Sequence, residues 1–172
     1  EQPLDLAINN RGFFQIQMPS GETAYTRNGQ FHLNANGDIV NASGFLLEPS
    51  ISIPENTNNI TISQDGIVSA SILGEPTPQE LGQITITDFV NPAGLQALGG
   101  NVFAQTAASG DPQTGTAGES GLGSIIQGSL ENSNVDIVEE MVNMITTQRA
   151  YEMNSKVVST ADQMLQFISQ NL

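Results

Sequence analysis

The sequence predicts a mainly β protein, an irregular β core domain of hairpins with one long C-terminal α-helix of the coiled-coil type. Three observations carry this. Segments with the period-two alternation of half-buried strands fill residues 4–103. Asx-Gly pairs punctuate them, the strongest short-range hairpin signal. After Ser133 the apolar period becomes helical, and no Pro or Gly occurs from Val135 to Leu172.

The strands are read in order. Phe14, Ile16 and Met18 alternate with Phe13, Gln15 and Gln17; Phe31 and Leu33 alternate with Gln30, His32 and Asn34. Ile60 and Ile62 alternate with Thr61 and Ser63, and Ile84 and Ile86 with Thr85 and Thr87. The polar partners are Thr, Ser and Gln, so one face of each strand is expected to meet water or another subunit. Asn28-Gly29, Asn36-Gly37 and Asp65-Gly66 are each expected to take the positive φ of a tight turn. A weak echo relates 36–43 to 64–71, which implies two similar hairpins rather than a solenoid. Residues 104–121, rich in Ala, Gly, Ser and Thr, read as a flexible linker. The expected domains are 1–132, the β core with that linker, and 133–172, the terminal helix.

Ser133 or Asn134 is expected to cap the helix, with Asp136, Glu139 and Glu140 at its positive end and Arg149 and Lys156 further on. Ile137, Met144, Tyr151, Val158 and Leu165 recur every seven residues, and Ala161 and Ile168 fill the later d-type positions. Thr147 and Asn154 are the polar exceptions. This is a coiled-coil seam, and no second long helix is predicted in the sequence to receive it. Burying five such side chains is worth on the order of 10 kcal/mol at most. The seam therefore packs on another segment or another chain, and the expected assembly interface is Ile137, Met141, Met144, Tyr151, Val158, Ala161, Leu165 and Ile168. The methionines Met141, Met144, Met153 and Met164 suit an adaptable surface.

Composition narrows the function. Of 172 residues 38% are hydrophobic and 5% aromatic, which suits thin β layers. The net charge is −14, with Arg11, Arg27, Arg149 and Lys156 as the only fixed cations, so nucleic-acid and anionic-membrane partners are not expected. There is no Cys, hence no disulfide, thiolate metal site or Cys nucleophile. The start, Glu1-Gln2-Pro3-Leu4, is no signal peptide and lacks Met, so a piece of a longer chain is expected. His32, the one histidine, reads as a solvent-facing strand residue. Glu139 and Glu140 point about 100° apart on a helix and do not form a carboxylate pair. Asn34, Asn36 and Asp38 alternate as in a calcium loop but lack its terminal Glu. No catalytic residue, metal, cofactor or small-molecule substrate is expected.

Glu139-Glu140-Met141-Val142-Asn143-Met144-Ile145 and Gln148-Arg149-Ala150-Tyr151-Glu152-Met153-Asn154-Ser155-Lys156 resemble the C-terminal signature of the flagellar rod and hook proteins. Asp5-Leu6-Ala7-Ile8 with Gly12-Phe13-Phe14 resembles the start of that family's core domain, as does Tyr25-Thr26-Arg27-Asn28-Gly29-Gln30-Phe31. Asn36-Gly37, Ile53-Pro54 and Gln64-Asp65-Gly66 match it too. The residues after Arg149 look most like those of distal-rod members. The resemblance implies a non-enzymatic subunit that polymerises helically with itself into the axle carrying torque from motor to hook. It implies hook and proximal-rod proteins as axial neighbours, ring proteins around the rod, a position in the basal body crossing the periplasm, and export by the flagellar type III system. It also implies an N-terminal helix pairing with the C-terminal one, and that helix is not in this sequence. The alternatives are a proximal-rod or hook subunit, an adhesin-like binding module with a helical stalk, and a hydrolase using His32 and Glu140.

Overall fold

A computed structural model describes residues 2–74, 77–131 and 137–170, with the backbone alone at 137 and 167–170. The chain divides into two compact units, Glu1–Glu131 and Asn132–Leu172. The first holds strands β1 (Leu6–Asn9), β2 (Phe13–Gln17), β3 (Thr23–Thr26), β4 (Phe31–Leu33), β5 (Ile39–Asn41), β6 (Leu46–Glu48) and β7 (Thr57–Ile62). It continues with β8 (Ile67–Ile72), β9 (Gln79–Gln83), β10 (Thr85–Asp88), β11 (Gln96–Gly99), β12 (Val102–Ala104), β13 (Gln113–Thr116) and β14 (Ser124–Gln127). The second holds one helix, α1 (Ile137–Gln170). The mainly β class with a long terminal helix holds.

β2 is the hub of the largest sheet. It pairs antiparallel with β3 along one edge and with β10 and then β6 along the other, in a sheet ordered β11-β12-β3-β2-β6-β5-β4 with β13 on β10. A separate sheet is β7-β8-β9, and β1 pairs with β14. The alternation in β2 lands as predicted: Phe14 and Ile16 are buried, Gln17 is exposed. With Leu6, Ile39, Leu47, Val68, Ile84, Ile86 and Ile125 they form one core beneath all three sheets. Two residues depart from the pattern. Leu33 ends a three-residue edge strand and is exposed, while Thr87 is fully buried and exchanges a hydroxyl hydrogen bond with Thr114 at 2.9 Å.

The turns explain the sequence echo. In 34–38, 41–45 and 63–67 the amide of the first residue donates to the carbonyl of the last, and a glycine with positive φ stands fourth: Gly37, Gly44 and Gly66. The side-chain oxygen of the first residue, Asn34, Asn41 or Ser63, accepts from the amide of the last. This is the three-residue hairpin loop closed by a left-handed glycine. In the two echoed copies the glycine carbonyl then accepts from a later connecting segment, Gly37 from the Ile53 amide and Gly66 from the Ile84 amide, both at 2.8 Å. Gly29 differs. Its φ is not positive, and it is required because a Cβ there would strike the backbone carbonyl of Leu6, which lies across the 27–30 segment.

The reading of 104–121 as a flexible linker needs correction. Gln113–Thr116 is strand β13, paired to β10 from Thr85↔Thr116 to Asp88↔Gln113. Ser109 and Ala117 are buried, and Thr106 donates its hydroxyl to the Gly94 carbonyl at 2.6 Å. The small residues that argued against a core are what permit close packing here: a Cβ on Gly94 would lie 2.6 Å from the Ala108 carbonyl carbon. A second apolar cluster, separate from the main core, joins β2, β3 and β12 to Phe89. There Phe89 meets Tyr25 edge-on at 4.8 Å and Phe13 at 6.0 Å, and Phe13 meets Phe103 at 6.1 Å.

Candidate assembly surfaces

α1 forms because its residues are helix formers uninterrupted by Gly or Pro, with Glu139 and Glu140 in the first turn where the helix dipole favours acids. The predicted caps, Ser133 and Asn134, lie outside the described residues. Its 34 residues span about 50 Å. Along it Met141, Met144, Tyr151, Val158, Ala161 and Leu165 are all exposed, Tyr151 to 77%. Ile137 and Ile168 belong to α1, but their side chains lie outside the described residues. Thr147, a polar exception on the seam, donates its hydroxyl to the Asn143 carbonyl at 2.8 Å, so it brings no unmet hydrogen bond to a neighbour.

A second apolar column stands off the heptad seam: Met153 and Met164, read from the sequence as part of an adaptable surface, belong to it, and Val157 joins them. Met153, Val157 and Met164 are exposed and line an open groove with Lys156, Thr160 and Ala161. At 100° per residue this column stands more than a quarter-turn from Tyr151, Val158 and Leu165. Only Ala161 was among the predicted interface residues. Its i, i+4, i+11 spacing is carried by the sequence but falls outside the heptad. A two-stranded contact covers a narrow a/d stripe, and the exposed apolar surface of α1 is wider than that.

In the β unit both arginines tie the fold together. Arg11 pairs with Asp88 at 3.0 Å and donates to the Phe89 carbonyl at 3.3 Å. Arg27 donates to the carbonyls of Ile8, Asn10 and Gly12, and to the Glu131 carboxylate at 2.7 Å. Residues 1–131 carry thirteen Asp and Glu against these two cations, a net −11. His32 is exposed. Among the described residues no group of three or more His, Cys, Asp or Glu could hold a metal, and no helix is long and apolar enough to cross a membrane.

Entrance and exit of the β unit are side by side. β1 and β14 run antiparallel from Leu6↔Gln127 to Asn9↔Ser124, and the Gly128 amide donates to the Asp5 carbonyl at 2.7 Å. The Gln127 carboxamide then reaches the edge of β7, accepting from the Ile62 amide at 3.0 Å and donating to the Ile60 carbonyl at 2.9 Å and the Pro3 carbonyl at 2.7 Å.

A tied-down β unit and a long helix with an exposed apolar surface define the class of an assembly subunit. Comparison with known proteins gives the family. Residues 7–70 match the flagellar hook protein FlgE/F/G D1 domain and residues 126–171 the flagellar basal body rod FlgEFG protein C-terminal region. The chain is 53% identical over 170 residues to the flagellar basal-body rod protein FlgG of Caulobacter vibrioides, covering 99% of this chain and 65% of that protein. It is 38% identical over 168 residues to FlgG of Bacillus subtilis, covering 95% and 63%. The flagellar hook protein FlgE of Salmonella typhimurium matches at 43% over 112 residues, covering 65% of this chain and 28% of that protein. The chain belongs to the flagellar rod and hook protein family. It spans about 65% of the length of the FlgG relatives it matches.

Proposed function

We propose that this chain is the larger part of a flagellar distal-rod subunit that polymerises with copies of itself into the axle between motor and hook. The likeness to FlgG proteins over almost the whole chain supports the distal rod rather than the hook. The observation that carries the mechanical reading is the exposed apolar surface of α1, too long and too wide to remain in water.

In this reading α1 packs through Met141, Met144, Tyr151, Val158, Ala161 and Leu165, with Ile137 and Ile168 extending the seam. It packs against a segment of the complete subunit outside this sequence and against neighbouring copies, and these helices form the stiff inner wall. The β unit, residues 1–132, makes lateral contacts between subunits. The adjacent ends of β1 and β14 favour the helix pairing, since a segment preceding β1 would start beside the end of β14. Hook and proximal-rod proteins are the axial neighbours and ring proteins surround the rod. The site of action is the basal body, where the rod crosses the periplasm after export by the flagellar type III system. The role is structural and uses no substrate or cofactor. The acidic surface keeps the exported subunit soluble.

Electron microscopy of basal bodies from a strain lacking the complete protein tests this. The expected result is basal bodies without distal rod or hook, restored by the complete gene. Full-length rods in the deletion strain would refute it.

A further inference from the structure

Charge is unevenly spread in this chain. From Phe89 to Gly110 no residue is charged, and no other uncharged run in the sequence is as long. The structure gathers this run into one lobe. Gln96 pairs with Ala104 and Ala97 with Phe103 in the β11–β12 hairpin. The Asn91 amide donates to the Ser109 carbonyl at 3.2 Å, and the Asn91 side chain to the Ala108 carbonyl at 3.0 Å. The Thr26 hydroxyl holds the hairpin through the Asn101 carbonyl at 2.8 Å. Beneath lies the Phe13, Tyr25, Phe89 and Phe103 cluster, so the lobe is rigidly seated.

Its outer surface is apolar and open. Val90 is 74% exposed and Leu98 47%, and Pro92, Ala93, Ala97 and Ala107 are exposed around them. β11 ends the order of its sheet and lacks the charges or proline that protect such an edge. In the three-stranded sheet both edges are managed: Gln127 occupies that of β7, and β9 carries Glu80.

We infer that the 89–110 lobe is the contact surface through which the β unit meets a second copy of this chain. The inference rests on the self-assembling reading above. Charge selects the occupant. A basic partner gains nothing from an uncharged surface and would seat on the acidic remainder of the unit. A copy of this chain brings its own net −11, and like charges across a contact are costly. A lobe free of charge is the part of the unit by which two such bodies approach at least cost, and its exposed Val90 and Leu98 supply apolar burial.

The test uses the complete subunit assembling in vitro, followed by light scattering and electron microscopy. Val90→Asp with Leu98→Asp changes exposed side chains only, so the melting temperature should hold. The critical concentration should rise about tenfold or more. A photo-reactive cross-linking residue placed at position 98 should give light-dependent cross-linked oligomers within filaments, whichever surface of the neighbouring copy faces it. If the double aspartate variant assembles like wild type while Tyr151→Asp abolishes assembly, the lobe is not a contact and the assembly reading stands. If the wild-type subunit forms no filaments, both fall.

Discussion

The Arg27 guanidinium reaches the Glu131 carboxylate at 2.7 Å while its remaining N–H groups hold the carbonyls of Ile8, Asn10 and Gly12. One side chain thus joins the β1–β2 turn to the last residue of the β unit. The two ends of this tie should differ in worth. Glu131→Ala removes a half-exposed ion pair and should cost no more than about 1 kcal/mol. Arg27→Ala leaves three carbonyls without their donor and should cost about 2–3 kcal/mol. Urea denaturation of both variants measures this, and equal costs would show that the carbonyl contacts contribute little.

Glycine positions offer a matched pair. Gly44 and Gly66 both have positive φ, at 83° and 90°. A Cβ at Gly44 meets open space, whereas at Gly66 it strikes the Ile84 carbonyl. Gly44→Ala should cost about 1–2 kcal/mol, from backbone conformation alone. Gly66→Ala should cost at least about 3 kcal/mol, because the bond from the Ile84 amide to the Gly66 carbonyl must also shift. Similar losses would mean the close approach at Gly66 is easily relaxed.

Phe89→Ala should cost about 3–5 kcal/mol, the loss for a fully buried aromatic. A cost below about 1 kcal/mol would mean that the Phe89 ring is not tightly packed against Phe13 and Tyr25. Calorimetry of the variant reads the difference directly.

Tyr25 is buried beside Phe89, and desolvation, followed by the nearby Glu48 charge, raises its pKa above 10.0. The folded state thus holds the phenol proton more tightly than the unfolded state. Its contribution is complete below pH 10.0 and is lost as pH rises from there through the raised folded value. Wild-type stability should fall over that window more steeply than that of Tyr25→Phe. Parallel slopes would place the hydroxyl in water.

Much of this was legible in the sequence, for physical reasons. Phe14 and Ile16 announced β2 because a half-buried strand must alternate. Gly37 and Gly66 announced their turns because a left-handed position selects glycine. What stayed hidden was non-local. Gly29 serves a close approach to Leu6, not a turn, and the acceptors of Arg27 are backbone carbonyls, which carry no sequence signature. The 104–121 segment packs with small side chains and glycine, whose composition equals that of a linker. The wide apolar surface of α1 was half read, because Met153, Val157 and Met164 stand off the heptad that Tyr151, Val158 and Leu165 mark.

The helix surface carries the functional proposal, and its disruption in cells is the most direct test. In a strain lacking the native copy, the complete subunit with Tyr151→Asp and Val158→Asp would be expressed and its basal bodies counted by electron microscopy. Both side chains are exposed, so the β unit should keep its melting temperature. The predicted result is exported, folded subunits with no distal rod and no motility, against full rods for the wild-type complete gene. Rods of normal length and normal swimming with both aspartates in place would contradict assembly through α1.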